Sequence, residues 1–258
     1  MIRMLQDDKL VKKTPSREAF LFFSYDILIR FNIVSYEMTS GFTTPQGLLD
    51  FAVKFLRERV SSLKRDVQIC IKEILPFPAL LYCFATVDLL GSLYKGDATG
   101  DTRTYGKEVG TAIKARKYMT EIMKYPEYES TLLQDQFRHK IVHLAQPQAV
   151  IFDIKNNRMI GWMLYNKYEG KHMLVEKLPS AQPVIVLTPY PMQVDHLFTV
   201  SIEKMVQDIE ISINQAPNGY LERLRKNDNN LQTKFDTAIK QIYLPEHTGL
   251  SSSYPFMV

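Results

Sequence analysis

Cysteine is nearly absent from this chain: only Cys70 and Cys83 occur, both inside apolar, helix-like text. Two such thiols argue against a disulfide framework and a cysteine-based zinc site. They favour a reducing compartment, so a cytoplasmic location is expected. An excess of one charge sign is also small. Against 32 Lys and Arg stand 28 Asp and Glu, a formal net charge of +4, which permits a polyanionic partner without requiring one. Long uninterrupted apolar runs are missing as well. The most apolar early stretch, AFLFFSYDILIRFNIVSY, is broken by Asp26 and Arg30. A charge at the centre of a membrane helix costs about 2.5 to 3.5 kcal/mol on insertion scales, so the stretch reads as a core element and no membrane partner is expected. No glycine-rich loop with Walker spacing is present, which argues against P-loop nucleotide chemistry.

What is there is a chain of 258 residues, 45% of them hydrophobic, enough to bury a substantial core. TTPQGLLDFAVKFLRERVSSLKRDVQICIKEIL opens with Thr44 as a candidate N-cap and Pro45 at the first helical position. Leu48, Leu49, Ala52, Val53, Leu56, Val60, Leu63, Val67 and Ile71 then recur at helical spacing, which predicts a long amphipathic helix. After Pro76 and Pro78, ALLYCFATVDLLGSLYKG predicts an almost wholly apolar helix ending at Gly96, one that must be covered on most of its circumference. A loop over 97–107 and a third helix in KEVGTAIKARKYMTEIMKY follow. Pro126 precedes a fourth helix, EYESTLLQDQFRHKIVHLA, with Leu133, Phe137, Ile141 and Leu144 expected on its inner face.

Past Pro147 the apolar period changes from 3.6 to 2. AVIFDIKNNRMIGWMLY predicts a hairpin turning at Asn156 and Asn157, and KHMLVEKL and PVIVLT predict two further strands. MQVDHLFTVSIEKMVQDIEISI, with Val194, Phe198, Ile202, Met205, Ile209 and Ile213, predicts a helix again, and shorter helices span roughly 217–243. The expected fold class is therefore α+β: a mainly helical antiparallel bundle over 44–247 with a small antiparallel sheet inserted at about 149–188. Residues 1–43 read as an N-terminal extension and 248–258 as a flexible tail.

The candidate chemistry lies in RHKIVH, residues 138 to 143. On a helix His139 and His143 stack on one face with Arg138 flanking them, and Pro147 puts His143 near a helix C-terminus, where the macrodipole favours a cation. Arginine offers a planar fork to phosphate oxygens, and histidine is the side chain that moves protons near neutral pH. Lys140 adds positive charge beside them. The same text also reads as a solvated basic helix face. A zinc pair at His139 and His143 is disfavoured because Lys140 stands where a metalloprotease helix has Glu, and no third ligand has a recognisable motif; no metal and no cofactor are expected.

Arg138, four intervening residues and His143, late in the fourth helix of an apolar helical segment, resemble the signature of the HEPN superfamily. The pairing of TVDLLGSLY with FRHKIVHLAQP is similar to bacterial HEPN-like proteins, over roughly residues 44 to 147. The resemblance implies a metal-independent endoribonuclease of defence or stress response, with Arg138 holding the scissile phosphate and His143 moving the proton. It implies a homodimer with the site formed between two copies, and RNA as partner. The alternative is a catalytically inactive module that binds RNA or protein through the same face. The sequence departs from the family in having His139 where Asn is frequent, and in carrying the strand-rich stretch.

Asp88, inside the most apolar helix, requires a partner when buried, and Arg138 or a histidine of the fourth helix is the expected one. A plain interhelical salt bridge is the equally simple reading. Gly91 is expected at a close helix crossing. Trp162, Tyr165 and Tyr168 read either as a base-stacking platform or as core and cross-strand aromatics. His172, His196 and His247 carry no motif.

Overall fold

The structure, a computed structural model, describes residues 42, 44–99, 110–184, 192–214 and 218–243. The apolar stretch at 19–36, the extension and tail, and most of the 97–107 loop lie outside the described residues. Thr44 accepts a hydrogen bond from the Gly47 amide at 3.1 Å and caps α1, Pro45–Lys72, as its position before Pro45 predicts. The turn after α1 ends at Pro76, the first residue of the next helix. α2 runs Pro76–Lys95 and stops at Gly96, whose φ of 75° is the left-handed cap that glycine adopts without a Cβ penalty. α3 is Thr111–Glu121. The fourth helix is segmented: α4 at Glu127–Leu132, a π turn at Leu133–Arg138, and α5 at His139–Leu144.

α2 is the centre of the helical layer, touching α1, α3 and α5 as well as two helices from beyond the sheet, α6 (Ile202–Asn214) and α8 (Leu231–Tyr243). The short α7, Tyr220–Arg225, fills in between them. Ala79, Leu80, Cys83, Phe84, Val87, Leu90 and Leu93 of α2 are all buried, so the apolar text is satisfied from several sides. By length and composition α2 alone among the described residues is long and apolar enough to cross a membrane, but half of it is buried inside this core. Gly91 makes the tightest crossing: a Cβ there would lie 2.6 Å from the backbone of Lys114 and Ala115 on α3.

The α+β class holds, with three corrections. The sheet is mixed rather than antiparallel. Its order is β1 (Ile151–Asp153), β2 (Arg158–Tyr165), β4 (Met192–Ser201), β3 (Leu174–Val184). The Asn156–Asn157 hairpin joins β1 to β2 as expected, but β3 forms the far edge. Its antiparallel neighbour β4 returns between them parallel to β2, pairing Trp162 with Phe198. The second correction is β4 itself, whose residues 192–201 were expected to be helical. Val194 and Phe198 are four apart, a spacing that fits one face of a strand as well as a helical turn, and Val200 continues the buried face at strand spacing. Helix begins only at Ile202. Third, KHMLVEKL and the start of PVIVLT belong to one strand with a register shift between Lys177 and Gln182.

Candidate functional site

The π turn decides where the fourth helix points its side chains. His139 donates its backbone N–H to the Gln134 carbonyl, five residues back, and the widened turn buries Leu133, Gln134, Gln136 and Phe137 together. Phe137 anchors it to the sheet, with its ring 5.5 Å from that of Trp162 and 6.0 Å from that of Phe198; Trp162 also meets Phe77 of α2. Trp162 is therefore half-buried and packed against the core, not an open stacking platform. The Gln136 carbonyl accepts from the Gln148 amide at 2.8 Å, and its side-chain amide points to the Ile160 carbonyl of β2 at 3.3 Å. Tyr128 on α4 donates to Asp153 of β1 at 2.5 Å. The inserted sheet thus braces the helix that carries Arg138.

Arg138 leaves this turn toward α2. Its Nη2 and Nε donate to one oxygen of Asp88, Oδ2, at 2.7 and 3.1 Å. Both side chains are about four-fifths buried, with 20% and 19% exposed. Burial pushes the Asp88 carboxyl above its ordinary pKa, against the hydrogen bond and charge of Arg138, which pull it down. Oδ1 has no partner among the described residues, and neither do the Gln134 amide, the Gln136 Oε1 or the Ser130 hydroxyl. Most of the unsatisfied buried polar side-chain atoms among the described residues therefore lie along one helical segment and the carboxylate it meets, the others being the Tyr220 hydroxyl and Asp236 Oδ1.

Immediately after Arg138, His139 stacks edge to face on His143, four residues further along, with ring centroids 4.7 Å apart and both residues exposed. Lys140 is partly exposed. Leu144, expected on the inner face, is 58% exposed, and Val142 is 50% exposed. Ala145 adopts a left-handed φ of 58° and ends the helix there, so Leu144 never completes the inward stripe. Asp88 and Arg138 are brought into contact; His139 and His143 form a separate, exposed pair.

A second polar cluster has no motif in the sequence. His172 Nδ1 accepts the Ser201 amide at 2.9 Å, and its Nε2 lies 2.9 Å from the Tyr125 hydroxyl, which donates to Asp208 at 2.9 Å. Its members are scattered between 125 and 208, and no local spacing links them. His196 bonds its neighbour Asp195 at 2.8 Å at the sheet surface. Among the described residues no three His, Cys, Asp or Glu converge in a manner able to hold a metal ion. No family model, curated protein or solved structure matches this chain.

Proposed function

We propose that the face from Arg138 to His143 is a ribonuclease site of the HEPN type, acting without a metal. The observation that carries this reading is the setting of Arg138. Asp88 fixes its guanidinium through Nε and Nη2, while Nη1 has no bond among the described residues and is left to meet a phosphate oxygen. The exposed imidazole of His143 follows on the next turn, where it would take the proton of a ribose 2′-hydroxyl or return one to the leaving oxygen. Arg138 would offset the charge that gathers on the phosphate during the attack. Lys140 and His139 add donors for the backbone on either side of the scissile bond. Two copies facing each other across this surface would place two such pairs around one strand, so the proposed enzyme is a homodimer.

A second reading has its own support: Val142 and Leu144 expose half or more of their surface beside His143, which suits a protein interface better than a phosphate channel. In that reading the chain is a silent module that binds RNA or protein. Substrate chemistry separates the two. The enzyme cuts RNA and leaves DNA of the same sequence intact, because DNA lacks the attacking hydroxyl. Binding of both polymers with cleavage of neither supports the module.

A further inference from the structure

We propose that His172, Tyr125, Asp208 and Lys204 form an acid-released clasp that locks the sheet to the helical layer. The cluster joins three connections at once. Tyr125 lies in the turn between α3 and α4, His172 in the loop leading to β3, and Ser201 at the junction of β4 and α6, while Asp208 and Lys204 project from α6. Tyr125 stands two residues before α4, so the clasp sets the entry of the helix that ends in Arg138 and His143. The proposal is independent of what that helix does chemically.

The hydrogen bonds allow one protonation state. The Ser201 N–H points at Nδ1, so that nitrogen carries no proton and the neutral ring holds its hydrogen on Nε2, which donates to the Tyr125 oxygen. Tyr125 passes its own hydrogen to Asp208 Oδ2. Lys204 occupies Asp208 Oδ1 at 2.5 Å, which spends the carboxylate's charge on the lysine. Asp208 Oδ2 is still 3.7 Å from His172 Nε2. The groups facing the ring are therefore Tyr125 from the α3–α4 turn, with Cys83 of α2 near it, and Asp208 and Lys204 from α6. Its own loop contributes Lys171, which is exposed and paired with Glu176. A second proton on the ring would set an Nδ1–H against the Ser201 N–H and place a cation in a side-chain environment only 4% exposed. Burial, opposed by Asp208 and reinforced by Lys204, holds His172 near 4, down from 6.5. Acid must break the Ser201 contact to charge the ring.

The test follows His172 and the Ser201 amide in the whole chain by NMR between about pH 7 and about pH 4, with the Val67 amide of α1 as internal reference. The imidazole should titrate well below its ordinary range. Protection of the Ser201 amide should fall by about 100-fold over that interval, as a ring held at about 4 when engaged and at 6.5 when released requires, while Val67, reached only by larger openings, stays the better protected of the two. In His172→Asn a side-chain oxygen can still accept the Ser201 N–H and does not titrate, so protection there should stay flat. Titration of His172 near 6.5, Ser201 protection that does not change with pH, or a His172→Asn chain as acid-labile as wild type would each overturn the proposal. The wild-type titration decides alone if the variant does not fold.

Discussion

Removing Arg138 strands a carboxylate, and the structure fixes how that cost should behave. With N···O at 2.7 Å, the gross attraction is roughly 6 kcal/mol at an effective dielectric of about 20. Desolvation of two groups each about four-fifths buried offsets most of it. The net cost of Arg138→Ala at neutral pH should be about 2 to 3 kcal/mol, a large share of a typical 5 to 15 kcal/mol stability. Asp88→Asn should cost about 1 kcal/mol, because the arginine can turn toward water. The double variant should lose about 1 to 2 kcal/mol less than the sum of the singles. The sign with pH is also determined. Asp88 titrates above its ordinary range in the folded chain even with Arg138 beside it; without the arginine it shifts further up. The folded form then binds its proton more tightly than the unfolded one, so stability falls as pH rises from the unfolded pKa through the folded one. The Arg138→Ala deficit should therefore be smaller at about pH 5 than at about pH 7.5 in urea titrations followed by circular dichroism. Additive single effects, or a deficit that grows toward acid, would refute the pairing as described.

The crossing at Gly91 makes a sharp contrast with Gly47. Gly91→Ala drives a Cβ into the α3 backbone 2.6 Å away and should cost about 3 kcal/mol in thermal unfolding. Gly47→Ala, in the first turn of α1 with its nearest contact at 3.4 Å, should be neutral or gain up to about 1 kcal/mol. Lys114 is 3% exposed and holds Asp97 through both its carboxylate, at 2.5 Å, and its carbonyl, at 2.9 Å. Lys114→Met should cost about 2 kcal/mol. Burial acts to raise the Asp97 carboxyl, but hydrogen bonds from Lys114 and Thr99 outweigh it and hold the group below the usual range. That contribution is present above the unfolded pKa and should vanish from the difference between wild type and Lys114→Met as pH falls through the folded one.

Local signals carried the helices well. A Thr-Pro start, a glycine stop and an apolar stripe are all short-range, and α1 and α2 follow them closely. Asp88 was readable because a lone charge in an apolar helix demands a partner, and Arg138 meets it. Harder to read were features settled by tertiary packing. β4 satisfies strand and helix spacing alike at Val194 and Phe198, and only pairing with β2 and β3 on both edges decides it. The parallel partnership of β2 and β4 depends on which edge β3 takes, a choice no local pattern encodes. The π turn arises where Phe137 must reach Trp162 and Phe198 while Arg138 reaches Asp88. His172 gains its partners from the α3–α4 turn, the β4–α6 junction and α6, so in the sequence it is one histidine among five.

The proposed ribonuclease reading is tested most directly by incubating wild type, His143→Ala and Arg138→Ala with a mixed pool of structured and single-stranded RNAs in the presence of a chelator, and identifying the product ends. Wild type should cleave, leaving 2′,3′-cyclic phosphates, since the neighbouring hydroxyl is the attacking group. Both variants, with helical circular dichroism retained, should leave the RNA whole. Cleavage by His143→Ala at the wild-type rate, or cleavage by wild type only when a divalent metal is restored, would contradict the assignment and leave the binding module as the account of this face.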